Sequence, residues 1–340
     1  MAVNEKITSF DIATLAGVSQ PTVSRALRGD PTVSEGTRKR IEAIARQLNY
    51  AVDKNASSLR RGKSNTLALL FFEDLLPDES WINPFFLSML GPILQTCAKR
   101  GYDLLTSFQQ LSTDWHVDYE DSRKADGIIL LGYGNYEIYR VRLEQLVAQG
   151  THFVRWGSVD DHALGMTIGC DNRQGGRDAG RHLIERGRRS IAFLGDASNR
   201  YPEFRDRYAG LTEAMVEAGL PVDPGLHVDA LSIEHSGHEA ARRLIARGIP
   251  FDAIFAGSDL IAIGAMRALE EAGMTVPNDV AMIGFDDIPA VSLTRPPLTT
   301  VAQDYLLAGE VLVDALIAQI KGKPVTPTLL APRLVSRMTA

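Results

Sequence analysis

Cysteine is scarce in this 340-residue chain: Cys97 and Cys170 both stand in apolar stretches. They read as reduced core residues, with a disulfide between them as the minor alternative. Long apolar runs are also missing, since stretches such as 67–72 fall far short of the roughly 18 residues a membrane span needs. No basic segment followed by an apolar one opens the chain, so a cytoplasmic protein is expected. Catalytic signatures are missing as well. Neither G-x-x-x-x-G-K-[ST] nor G-x-S-x-G occurs, and Gly132-Tyr133-Gly134 lacks the third glycine of a dinucleotide loop. His235 and His238 have an i, i+3 spacing, but no Cys or further His stands near them in sequence, so they read as a solvated helix face and not as metal ligands. Neither an enzyme, a metal nor a cofactor is expected. What remains is ordinary globular material, 45% hydrophobic and 23% charged, long enough for two or three domains.

Residues 8–27, TSFDIATLAGVSQPTVSRAL, read as two short helices joined at Gly17. Thr8 and Asp11 have the spacing of a capping box, and Ile12, Ala13 and Ala16 fall on one face. Gly17 allows a sharp corner, Val18 plugs the space between the helices, and Ser19 is a good N-cap for the second helix. Pro21 is tolerated in that first turn because an N–H there has no helical acceptor. Val23, Ala26 and Leu27 turn inward, which leaves Gln20, Pro21, Thr22, Ser24, Arg25 and Arg28 outside. This is a helix-turn-helix. Gln20 can pair bidentately with adenine, Arg25 can reach guanine or a phosphate, and Pro21 can offer only apolar contact to a thymine methyl. Thr8, Ser19, Thr22 and Ser24 read as phosphate contacts, which set register.

Charge is divided unevenly. Residues 1–63 carry 11 Lys+Arg against 6 Asp+Glu, a balance of +5, which leaves −11 on the remainder of a chain whose net charge is −6. A basic head gains affinity by releasing counterions from DNA phosphates while an acidic body stays off the duplex. After a polar turn at 29–32, a third helix is predicted over about 34–48, with Ile41, Ile44, Ala45 and Leu48 inward and Arg38, Lys39 and Arg40 placed for a phosphate backbone. Residues 49–63 are polar, basic and too poor in apolar groups to fold alone. Leu59 within them reads either as a loose contact with the body or as a wedge for the DNA minor groove.

Taken together, VSQPTVSRAL at 18–27, LNY at 48–50 and D-x-x-A-x-x-L-x-x-G at 53–62 resemble the lactose repressor/galactose repressor (LacI/GalR) family of bacterial transcription regulators. The resemblance continues through NPFF at 83–86, DGIIL at 126–130, DNRQGG at 171–176, GFDD at 284–287 and PPLTTV at 296–301. It implies that Gln20, Pro21 and Arg25 read bases. It also implies that 53–61 is a hinge that becomes helical when two subunits sit on the operator, with Asn55, Ala56 and Leu59 among the DNA contacts and Leu59 prying open a minor-groove step. The chain departs from the family at Val52-Asp53, where Pro-Asn is frequent.

In the body, short apolar runs alternate with amphipathic stretches. Strands are expected at 66–72, 102–107, 127–131 and 152–155, then in a second set at 166–170, 190–194, 253–256 and 280–285. Helices are expected between them, for example at 84–99, 203–218, 236–247 and 259–272. Such alternation predicts α/β architecture: doubly wound parallel sheets with helices on both faces. The polar break at 157–165 separates two lobes, and the family implies the two-lobed fold of periplasmic sugar-binding proteins with three crossings between lobes. The domains expected are a helix-turn-helix head at 1–50, a hinge at 51–63 and a core at 64–340, with a first lobe at about 64–162 and 304–325 and a second at about 163–303 and 326–340.

Ligands in such folds sit at the carboxyl ends of strands. Arg205 and Arg207 follow a strand-loop, and a guanidinium forks onto vicinal hydroxyls. Asp259 and Asp286 stand at strand ends, each also readable as a helix cap. The aromatics Phe86, Trp156 and Tyr201 offer rings that stack on sugars, though Trp156 reads equally well as core. The resemblance supports Arg207, Ser258, Asp259 and Asp286 as effector positions and adds Gln303. Two positions depart from it: Ser258, commonly Asn, and Ser232, commonly aromatic. The expected protein is a homodimeric regulator reading a pseudo-palindromic operator, since two heads square the discrimination of one. A sugar between the lobes would set its operator affinity. The alternatives are a purine-type corepressor regulator and a sugar-binding or sugar-processing protein with an incidental basic head.

Overall fold

The computed structural model describes residues 7–27, 29–50, 63–72, 82–132, 134–159 and 164–340. The chain divides into two compact units, Met1–Ser64 and Asn65–Ala340. In the first, α1 (Ser9–Ala16), α2 (Gln20–Leu27) and α3 (Glu35–Gln47) surround Ile12, Ala13, Ala16, Val23, Ala26, Val33, Ile41 and Ala45. Val18, Leu27, Ile44 and Leu48 pack around them, half-buried. The start of α1 is set by Asp11, whose Oδ2 accepts from the Thr8 N–H (2.7 Å) and hydroxyl (2.8 Å), bonds that also hold its carboxyl below the usual range. Its end is set by Gly17 at φ +63°, with the Val18 N–H folded back onto the Ala13 carbonyl at 3.1 Å. Ser34 caps α3 by accepting from the Thr37 N–H.

The second unit holds two six-stranded sheets. The elements run β1 (Thr66–Phe71), α4 (Pro84–Arg100), β2 (Asp103–Phe108), β3 (Ile128–Leu131), α5 (Tyr136–Gln149), β4 (Phe153–Trp156), β5 (Met166–Cys170), α6 (Asn172–Glu185), β6 (Ile191–Leu194), α7 (Pro202–Glu217) and β7 (His227–Val228). They continue with α8 (Glu234–Ala246), β8 (Ala253–Ala256), α9 (Asp259–Glu271), β9 (Ala281–Asp286), β10 (Thr299–Ala302), α10 (Tyr305–Ile320), β11 (Thr328–Leu330) and β12 (Arg333–Val335). The sheet orders are β11-β5-β4-β3-β1-β2 and β12-β10-β9-β8-β6-β7, parallel throughout except where β12 runs antiparallel to β10. The central strands are buried on both faces, as parallel strands covered by helices must be.

Two boundaries differ from the sequence expectation. The segment 166–170, expected to open the second sheet, belongs to the first: Val154 pairs with Met166, and Arg155 with Thr167. Likewise 328–330, expected in the second lobe, pairs with β5 in the first sheet. A strand buried on both faces carries the same apolar pattern in either sheet, so the polar loop before β5 marked no change of lobe. The crossings fall instead between β5 and α6, between β10 and α10, and between β11 and β12. In the second lobe α6 and α7 approach so closely that a Cβ on Gly176 would collide with the Arg207 carbonyl, and one on Gly210 with the Arg173 carbonyl. That backbone contact fixes where Arg207 enters the core.

Candidate functional site

The outer side of α2 presents Pro21 and Arg25 exposed, with Gln20, Thr22 and Ser24 half-buried beside them. The Gln20 amide donates to the Ser9 hydroxyl at 3.0 Å, which fixes the side chain against α1. Arg25 Nε lies 3.4 Å from the Pro21 carbonyl one turn back, and the Ser19 and Thr22 hydroxyls share a 2.8 Å bond. Exposed Thr8 stands at the start of α1. Arg28, Asn55, Ala56 and Leu59 lie outside the described residues.

In the larger unit helix α7 and the carboxyl ends of strands β8, β9 and β10 of the second sheet supply the polar cluster. Arg207 on α7 is 0% exposed, and its guanidinium lies over the Phe285 ring, 3.7 Å from the centroid. Its Nε donates to the Asn172 side-chain Oδ1 at 2.8 Å, and Nη1 donates to the Gly257 backbone carbonyl. Asp286 Oδ1, 3.7 Å from Nη1, accepts from the Gln303 amide at 2.7 Å. Burial pushes the Asp286 carboxyl up to about 7, although Arg207 and Gln303 pull it down. Asp286 and Asp287 both have positive φ, +116° and +56°. Consecutive non-glycine residues in that region are strained, and such strain clusters at functional sites. Arg337 donates to Asp287 at 2.6 Å and helps hold the turn.

Ser258 and Asp259 play different parts. Asp259, fully buried, accepts from the Thr300 hydroxyl (2.5 Å) with one oxygen and from the Ile288 N–H (2.9 Å) with the other, tying the loop after β9 to strand β10. Burial and then the charge of Asp286 push its carboxyl well above the carboxylate range. Ser258 caps α9 and accepts from the Ser232 hydroxyl at 2.8 Å. Arg205, two residues from Arg207, points elsewhere: it pairs with Asp206 (3.1 Å) and Asn199 (3.1 Å) and is 36% exposed on its side chain. Residues i and i+2 on a helix do not share a face. Tyr201 stacks on Phe204 at 6.2 Å, so the second lobe brings together Arg207, Asp286 and Gln303 and leaves Arg205 outside that cluster.

The first lobe contributes apolar rings. Phe86 is buried edge-to-face on Phe85 (5.2 Å), and Phe85 meets the buried Trp156 at 6.0 Å. Direct bonds join the lobes: the Tyr136 N–H to the Arg200 carbonyl (2.9 Å), the Ser158 N–H to Glu203 (2.9 Å), the Ser158 hydroxyl to Asp206 (2.6 Å) and the Asn83 amide to the Ser232 hydroxyl (3.0 Å). Buried Arg155 supports Ser158 by donating to its carbonyl at 3.2 Å, and lies 5.4 Å from the Tyr136 ring centroid. Sequence reasoning missed Asn83, Asn172, Ser158 and Glu203. Asn83 and Asn172 had a signal, since they stand in the NPFF and DNRQGG motifs, whereas Ser158 and Glu203 are marked only by tertiary proximity. Among the described residues no group of three His, Cys, Asp or Glu is placed to hold a metal ion, and no helix is long and apolar enough to cross a membrane.

A helix-turn-helix unit joined to a two-lobed core with charged residues buried at its strand ends defines a ligand-responsive, DNA-binding transcription regulator. Residues 10–53 match the model of bacterial regulatory proteins of the lacI family, and 181–340 match the periplasmic binding protein-like domain. The ribose operon repressor of Escherichia coli (strain K12) is 31% identical over 330 residues, 96% of each chain, and the HTH-type transcriptional regulator DegA of Bacillus subtilis (strain 168) is 32% identical over 304. Among solved structures, the Lac repressor dimer bound to operator and the anti-inducer ONPF superposes with a TM-score of 0.82 at 26% identity, covering 98% of this chain and 99% of that one. The complex of the transcriptional regulator CelR with cellobiose does so at 0.73 and 28%, covering 98% and 100%. The chain belongs to the lacI family, and it is a regulator and not an enzyme.

Proposed function

We propose that this regulator is a homodimeric repressor of carbohydrate-use genes whose effector, a sugar, binds between the lobes at Arg207, Asp286 and Gln303. The observation that carries the reading is a buried cation beside a carboxylate whose backbone is strained, set at the strand ends that face the opposite lobe. A sugar hydroxyl donates to a carboxylate and accepts from a guanidinium at once, so the cluster suits a polyol. Ser258, Tyr201 and Phe86 belong to the same reading as further effector positions, and Asp259 shapes the site by holding the loop after β9. Relatives named for ribose and cellobiose support this class of ligand.

On DNA, Gln20, Pro21 and Arg25 read bases, and Thr8, Ser19, Thr22, Ser24 and Arg28 hold phosphates. Asn55, Ala56 and Leu59 act at the hinge. Operator DNA places the work in the cytoplasm. A sugar shifts operator affinity only through different affinities for two arrangements of the lobes. A thermal-shift panel of sugars and nucleobases, followed by operator gel shifts with every hit, tests the reading. A sugar that raises the melting temperature and changes operator affinity about tenfold is expected. A nucleobase that tightens operator binding transfers the reading to a purine-type corepressor, and a panel in which no molecule alters DNA affinity refutes the switch.

A further inference from the structure

Both sheets have one edge where the chain crosses between lobes and one edge far from it. The crossings leave from β5, β10 and β11, while β1 and β2 end the first sheet on the far side and β6 and β7 end the second. Asn83 follows β1 and Ser232 follows β7, so the bond between them spans the cleft at the side remote from the crossings. It is one step in a longer chain. Asn83 Oδ1 accepts from the Phe85 N–H (2.9 Å) and caps α4, while its Nδ2 donates to Ser232 Oγ (3.0 Å). Ser232 Oγ donates to Ser258 Oγ (2.8 Å), and Ser258 Oγ accepts from the Ile261 N–H (3.4 Å) and caps α9. A helix cap in one lobe is thereby joined to a helix cap in the other through two side chains.

We propose that Asn83, Ser232 and Ser258 form a latch that biases the lobes toward closure without help from a ligand. The bias raises effector affinity because less of the closing free energy has to come from binding. That consequence requires the cleft to be the effector site, whereas the latch itself is tested without any effector. Two backbone amides in other loops report closure: those of Tyr136, after β3, and Ser158, after β4, each bonded to the opposite lobe.

The test is hydrogen–deuterium exchange on the unliganded full-length protein and on Ser232→Ala, Ser232→Thr, Asn83→Thr and the double variant Asn83→Thr/Ser232→Ala. Threonine at 83 keeps an N-cap acceptor but is too short to bridge the lobes. Ser232→Ala is expected to speed exchange of peptides containing Tyr136 and Ser158 about two- to tenfold, the range set by losing the one neutral hydrogen bond of the latch that crosses the cleft. Ser232→Thr restores protection, and the double variant exchanges no faster than the single ones because both remove one interaction. Unchanged exchange at Tyr136 and Ser158, additive effects of the two substitutions, or faster exchange spread through both lobes each overturn the latch. Should the latch pass while no sugar binds, the effector reading fails alone.

Discussion

The two lobes share one doubly wound topology and use it differently. The second lobe buries three ionisable groups together: Arg207, Asp259 and Asp286 all lie inside, Arg207 donating to Asn172 while the two carboxyls accept from Thr300, Ile288 and Gln303. The first lobe puts rings behind its strand ends and leaves apolar side chains outside, with Leu87 and Leu94 about half exposed along α4. The difference teaches that the sheet supplies only positions. A lobe becomes the chemical wall of a cleft when its helices pack closely enough to carry a charged side chain inside, and the other lobe is free to offer surface.

Removing the charge pair should separate the lobes most. Arg207→Met leaves Asp286 buried without its counter-charge, with an expected loss of about 3–5 kcal/mol in chemical denaturation and of effector binding by calorimetry. Arg155→Met in the first lobe removes one hydrogen bond and a cation–π contact and is expected to lose only about 1–2 kcal/mol. Equal losses would erase the contrast.

The pH dependence sharpens it further. Asp286 titrates near 7 when folded against an ordinary 3.8, so the native state holds the extra proton between these values. Its contribution to stability therefore falls as pH rises from about 4 to about 7 and stays low above that range. Asp286→Asn should flatten this part of a melting-temperature profile.

Packing comes next. Gly176→Ala drives a methyl group into the Arg207 carbonyl, and about 1–3 kcal/mol of destabilisation with weakened effector binding is expected, read by thermal melting and titration. The smallest effect on effector binding belongs to the first lobe's surface. Leu94→Glu should leave effector affinity unchanged while weakening self-association about tenfold in sedimentation, since exposed apolar rows mark interaction faces. A variant that lost effector affinity with its association intact would break the comparison.

Much of this was legible along the chain. Thr8, Asp11, Gly17 and Ser34 announce the helix ends of the head because caps and left-handed corners are local chemistry. The apolar strands and Asp286 at a strand end are legible for the same reason, since burial on both faces leaves unbroken hydrophobic runs. Assignment of β5 to a sheet was not legible, because strand pairing depends on a partner distant in sequence. Arg205 and Arg207 look alike in YPEFRDRYAG, and only the helix rotation fixed by Gly176 and Gly210 sends one inside and the other out.

By itself the sequence determined a basic helix-turn-helix head, an acidic α/β body and the residue types at the strand ends, because propensity, capping and charge act over a few residues. Tertiary structure alone decided which arginine is buried, that Asp259 braces a loop, that Trp156 is buried and that Asn83 meets Ser232 across the cleft. Those outcomes depend on distances between segments up to 149 residues apart, which no local pattern encodes.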